Sequence, residues 1–143
     1  MGGFHMSAGI NHVAVWVAAI VYFLLGWIWY TIFGAAWVAA MGKTSMGGSS
    51  PLIYLWSFLL GLILAYATAV ALARRPEDQT VQQGVSFALF MGIALFATQT
   101  LNQVLYAGTP FVLWLINTGY VVVGFAIIGA IVGGWKQKVA AAA

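Results

Sequence analysis

Charge is nearly missing from this sequence. Lys43, Arg74, Arg75, Lys136 and Lys138 stand against Glu77 and Asp78, so charged residues make up 5% of the chain, where a soluble domain carries about 25%. No water-soluble surface can be built from so few, and a net charge of +3 is too sparse for a nucleic-acid surface. Cysteine is absent, which excludes disulfides, thiolate metal sites and a cysteine nucleophile together. The only acids lie side by side in one polar stretch, which argues against proton-coupled export through a carboxylate buried in the membrane. The imidazoles are His5 and His12, and one histidine at the start of an apolar run is no metal site. Hydrolase triads and dinucleotide or phosphate loops are missing as well. The expectation is a non-enzymatic protein with no catalytic residue, metal or cofactor.

What the chain does have is apolar length. Hydrophobic residues account for 64% of its 143 positions, and the outside of such a molecule can only face lipid. A membrane-spanning helix takes about 20 apolar residues. Residues 10–33 form a first such run, without a basic region ahead of it, so this span is expected to stay in the protein rather than to be cleaved as a leader. Residues 34–42 read as a short interfacial segment before a glycine- and serine-rich loop. Pro51 suits a first helical turn, and the second span, 51–73, stops at Arg74-Arg75-Pro76. From 79 to 135 no charge occurs, too long a stretch for one crossing. Gly108-Thr109-Pro110 is the place least compatible with a helix, which leaves spans at 84–107 and 111–135. The terminal alanines are expected to be disordered. The fold class is thus an all-α integral membrane protein: one domain over 1–143, a four-transmembrane-helix bundle with antiparallel neighbours and short loops.

Four of the five basic residues, Arg74, Arg75, Lys136 and Lys138, fall on one side of such a bundle, and Lys43 on the other. Cytoplasmic loops retain positive charge, so both termini are expected in the cytoplasm. Helices in lipid associate by close packing of small residues. Gly61, Ala65, Ala69 and Ala73 form one stripe on the second span, and Gly84, Ala88 and Gly92 one on the third. Reflection about the intervening loop pairs Ala73 with Gly84, Ala69 with Ala88 and Ala65 with Gly92, a seam between the second and third spans. Gly129 and Gly133 make a further small-residue pair in the fourth span, suited to packing or to oligomerisation.

Polar residues inside the apolar runs gather toward the outer side. Gln99, Asn102 and Gln103 share a face of the third span, and Asn117 lies at a matched distance beyond the Gly108 turn, so Asn102 and Asn117 are expected to meet. Around them Trp27, Tyr30, Trp56 and Trp114, with Trp29, Trp37, Tyr54 and Tyr106, make the outer half rich in aromatic rings. Two readings stay open. The rings and amides are an interfacial belt with interhelical hydrogen bonds, or they form a pocket for an apolar ligand such as a lipid, a quinone-like or a pigment-like molecule. A structural or accessory role, with membrane lipids and a second copy or a larger membrane complex as partners, fits either reading. The alternative is a passive channel or transporter for a small neutral solute lined by Gln99, Asn102 and Asn117.

One group of residues carries a family likeness: Asn11, then Gly26-Trp27-Ile28-Trp29-Tyr30-Thr31-Ile32-Phe33-Gly34 and Trp37, later Asn117-Thr118-Gly119-Tyr120, and the closing Gly134-Trp135. With these the sequence resembles the small bacterial membrane family known as domain of unknown function 1761. The likeness runs over nearly the whole chain and is most specific at Trp29-Tyr30. It implies four spans and residence in a bacterial inner membrane, and it implies no reaction.

Overall fold

The computed structural model describes residues 9–48, 50–75 and 79–135. His5, the acids Glu77 and Asp78, the closing Lys136 and Lys138 and the terminal alanines lie outside the described residues. Four helices follow one another: α1, His12–Ala40; α2, Pro51–Ala73; α3, Val81–Ala107; and α4, Phe111–Gly134. Each is long and apolar enough to cross a membrane, and the described residues contain no strand. Three of the four helices start at a residue whose side chain takes up a free backbone donor. Asn11, Ser50 and Thr80 accept from the N–H groups of Ala14, Leu52 and Gln83 at the heads of α1, α2 and α3. Pro110 precedes α4 directly, and the turn before it closes on Gly108 in the left-handed conformation, φ 69°. Because Thr80 supplies a cap, α3 begins three residues ahead of the expected Gly84.

No separate interfacial segment occupies 34–42. Helix α1 runs unbroken through Gly34 to Ala40, 29 residues, or about 43 Å at 1.5 Å per residue. It stops where the Gly42 N–H donates to Ala39 and the Lys43 N–H to Val38, with Gly42 left-handed at φ 65°. That pair of bonds is the Schellman arrangement, which satisfies the last free carbonyls. Gly34 by itself removes no hydrogen bond and does not interrupt the helix.

The central helix of the bundle is α4, which packs against all three others, while α2 and α3 barely touch. Between α2 and α3 lies a cleft of about 560 Å³ lined by Ala67, Val70, Ala71, Arg74 and Phe87. The expected seam between these helices therefore does not form. Ala65 and Ala69 of α2 join a buried cluster with Val15, Ala18 and Ala19 of α1 and Ile128 and Val132 of α4. Gly84 and Ala88 of α3 lie against Gly129 and Gly133 of α4, and Gly92 against Val122 and Phe125. The reason is the size of the facing stripes. Two glycines on α4 let α3 approach to backbone contact, whereas the alanines of α2 keep any neighbour a methyl group further away.

A Cβ at Gly84 would collide with the carbonyl of Gly129, so Gly84→Ala forces α3 off α4. The expected cost is about 1–3 kcal/mol, read as a lower melting temperature in detergent. Gly48→Ala, where a Cβ meets nothing, leaves melting unchanged.

Candidate ligand groove and its aromatic floor

The termini of α1 and α4 meet at one end of the bundle, where the Asn11 side chain donates to the Trp135 carbonyl at 3.2 Å. His12 at this terminal end is paired with the Tyr66 hydroxyl at 2.9 Å, and Gln79 donates to the Val132 carbonyl. Among the described residues no three His, Cys, Asp or Glu side chains converge as metal ligands.

Toward the opposite, distal end the glycines serve another purpose. Tyr22 of α1 projects between Gly61 of α2 and Gly124 of α4, where added Cβ atoms would strike its ring. Tyr120 of α4 stacks on Tyr22, centroids 4.9 Å apart and 24° between planes, and crosses Gly26 of α1. Trp29 lies over Gly119 in the same manner. Each ring thus fills space that a side chain on the facing helix would have taken.

Hydrogen bonds fix the rings in place. Tyr120 donates to the Tyr22 carbonyl at 3.2 Å, and Trp29 Nε1 to the Ile116 carbonyl at 3.0 Å. Asn117 Oδ1 accepts twice, from Tyr30 Oη at 2.7 Å and from Trp37 Nε1 at 3.2 Å. An unpaired polar group in hydrocarbon costs several kcal/mol, so one amide oxygen with two lone pairs secures two rings of α1 against α4.

On the other side of these rings the distal halves of α1 and α2 are separated by an open groove of about 1310 Å³. Its floor is Tyr22, Tyr30 and Tyr120, its walls include Phe23, Trp27, Leu60 and Leu64, and Thr44, Ser45 and Met46 of the α1–α2 loop stand at one end. Four of the hydroxyl hydrogens along it are turned inward. Thr31 donates to the Trp27 carbonyl and Ser57 to the Ile53 carbonyl, each one turn back, while Tyr30 and Tyr120 donate as described. The lining is therefore apolar and aromatic with a few hydroxyl oxygens.

Of the eight residues expected to bind a ligand, Trp27 and Tyr30 line this groove. Asn117 sits behind Tyr30, with its oxygen already used. Trp114 lies elsewhere: its Nε1 donates to Thr100 at 3.0 Å and its ring stacks on Phe111. Trp56, Gln99, Asn102 and Gln103 are exposed, and the expected meeting of Asn102 with Asn117 does not occur.

The cause is a π-helical turn at Gly92–Ala97. It holds one residue more than an α turn would, and so rotates everything beyond it by about 100°. In an unbroken α-helix Gln99 and Gln103 would continue the Gly84, Ala88, Gly92 face toward α4. Here Ala97, Thr100, Leu101 and Val104 take that face instead, and the amides point away. Neither floor residue, Tyr22 or Tyr120, is among the residues expected to bind a ligand, and Tyr120 stands out only within the Asn117-Thr118-Gly119-Tyr120 likeness. The glycines that seat them, Gly61 and Gly124 for Tyr22 and Gly26 for Tyr120, lie on other helices and give no signal local to either tyrosine.

Four apolar spans built around glycine-seated rings define a multi-pass helical membrane protein. Residues 13–133 match the family described as protein of unknown function (DUF1761), and the chain belongs to it, as the sequence resemblance implied. No curated protein and no solved structure matches the chain.

If Asn117 is the shared acceptor, the double-mutant cycle of Tyr30→Phe and Asn117→Leu should show coupling of about 0.6 kcal/mol, the mean for hydrogen bonds between membrane helices. The same cycle between Asn102→Leu and Asn117→Leu is expected to give none. Unfolding in mixed micelles provides the measurement.

Proposed function

We propose that this protein is a non-enzymatic binder of an elongated apolar ligand, a lipid chain or isoprenoid-like molecule, held in the groove between α1 and α2. The observation that carries this reading is the groove itself, walled by apolar side chains and floored by three tyrosines. Tyr30 and Tyr120 spend their hydrogens within the chain, so over the floor a ligand gains mainly burial and ring contact, with the hydroxyl groups of Thr44, Ser45 and Tyr54 available to a polar end. A path for a neutral solute lined by Gln99, Asn102 and Asn117 has no comparable support, because Gln99 and Asn102 face away from Asn117.

In this reading both termini are cytoplasmic, since Arg74 and Arg75 close α2 at the terminal side and Lys136 and Lys138 follow α4 in the sequence. The groove, with Ser45 at its edge, then opens in the outer leaflet. In the cysteine-free chain, Ser45→Cys is expected to react with an impermeant maleimide on whole cells and Gln79→Cys to react only after lysis; the opposite pattern reverses the orientation.

Binding is tested by native mass spectrometry from mild detergent, with extraction of whatever accompanies the protein. Wild type should retain a discrete apolar molecule. Leu60→Trp, which puts an indole into the groove from an exposed position on α2, should release it with little change in melting. A wild type that carries nothing beyond the bulk lipid mixture removes this function.

A further inference from the structure

Beyond the π turn, Gln99 stands three and four residues before Asn102 and Gln103, and these in turn four and three before Tyr106, so that all four lie exposed along one face of α3. The side-chain hydrogen bonds of this stretch belong to Thr98 and Thr100, which return to carbonyls of their own helix, with Trp114 donating to Thr100. Among the described residues the three amides make none. Helix α3 has 27 residues, about 40 Å, against a hydrocarbon thickness of about 30 Å. A centred span extends about 5 Å beyond the hydrocarbon at each end. Gln99, about 12 Å from the end of the helix by the same rise, then lies well inside it, with Asn102 and Gln103 near its edge. Lipid tails offer an amide no partner.

We propose that this face is the contact between two copies of the chain, α3 against α3, with Gln99, Asn102 and Gln103 hydrogen-bonding across a two-fold axis along the membrane normal. An amide carries both a donor and an acceptor, so a stripe of amides is complementary to itself, as a stripe of one charge would not be. A two-fold axis along the normal brings each residue opposite its own copy at the same depth. Glutamine thus meets glutamine inside the hydrocarbon, and asparagine meets asparagine near its edge. The π turn is the device that makes this face available, because it turns toward the partner the amides that an unbroken helix would have buried against α4.

The chain has no cysteine, so single substitutions report directly. Asn102→Cys and, as a control at similar depth on an exposed face of α2, Leu55→Cys are treated in native membranes with a short bis-maleimide. The proposal expects a band of doubled mass from position 102 and none from 55. In parallel, wild type and the variant with Gln99→Leu, Asn102→Leu and Gln103→Leu are compared by native mass spectrometry. The dimer fraction should fall about tenfold or more while thermal melting of the monomer is retained. Equal crosslinking at both positions, or at neither, overturns the proposal, as does a dimer that persists in the leucine variant. A monomeric wild type also overturns it, and would leave lipid headgroups as the partners of Asn102 and Gln103. Should the leucine variant fail to fold, the crosslinking pattern alone decides.

Discussion

Everything in this bundle depends on how closely a backbone can come to another backbone. Helices in lipid gain nothing from withdrawing apolar surface from one another, because the tails they displace are as apolar as they are. Attraction must come from short-range packing, and it is greatest where no side chain intervenes. Gly129 and Gly133 of α4 lie directly against Gly84 of α3, and Gly133 also faces the Thr80 carbonyl. This contact makes α4 the centre of the molecule. α1 and α2 are then arranged about its remaining faces through the alanine and valine cluster at the terminal half, and α2 is left separated from α3 by a cleft.

The same helix uses glycine in a second way toward its other end. There Gly119 and Gly124 accept the rings of Trp29 and Tyr22 rather than another backbone. Rings need room on both sides, and Tyr22 also takes up the space at Gly61 of α2. A small-residue half thus holds the helices together, and a ring-filled half leaves a groove between α1 and α2. The polar atoms of that half are arranged so that the groove stays apolar: Asn117 absorbs two donors behind its floor, and the hydroxyls of Thr31 and Ser57 return to their own helices.

Much of the architecture was readable residue by residue because its signals are local. A run without charge must cross lipid, Pro51 marks a first turn, and Gly108-Thr109-Pro110 turns the chain where the uncharged stretch has to divide. The first helix runs past Gly34, where a helix end is expected, since glycine alone does not stop a helix that still has every hydrogen bond; the stop is Gly42, where a left-handed residue closes the last turn. The groove was less legible. Trp27 and Tyr30, expected around a pocket, line it, whereas nothing in the sequence marks Tyr22 and Tyr120 as its floor, and only the glycines opposite them, on other helices, seat them there.

By itself the sequence determined the solvent, the number of spans, the positions of the second and third turns and the family, because each follows from composition or from residues adjacent in the chain. Tertiary structure alone decided which small-residue stripes meet and which way the amides of α3 point. Reflection about a loop pairs α2 with α3, but a closer fit on α4 prevails, and closeness of fit belongs to two surfaces rather than to one. The single extra residue in the π turn at Gly92–Ala97 has no signature in an apolar run. It changes no residue's polarity and only rotates the helix beyond it, so it takes Asn102 away from Asn117 and leaves that oxygen to Tyr30 and Trp37.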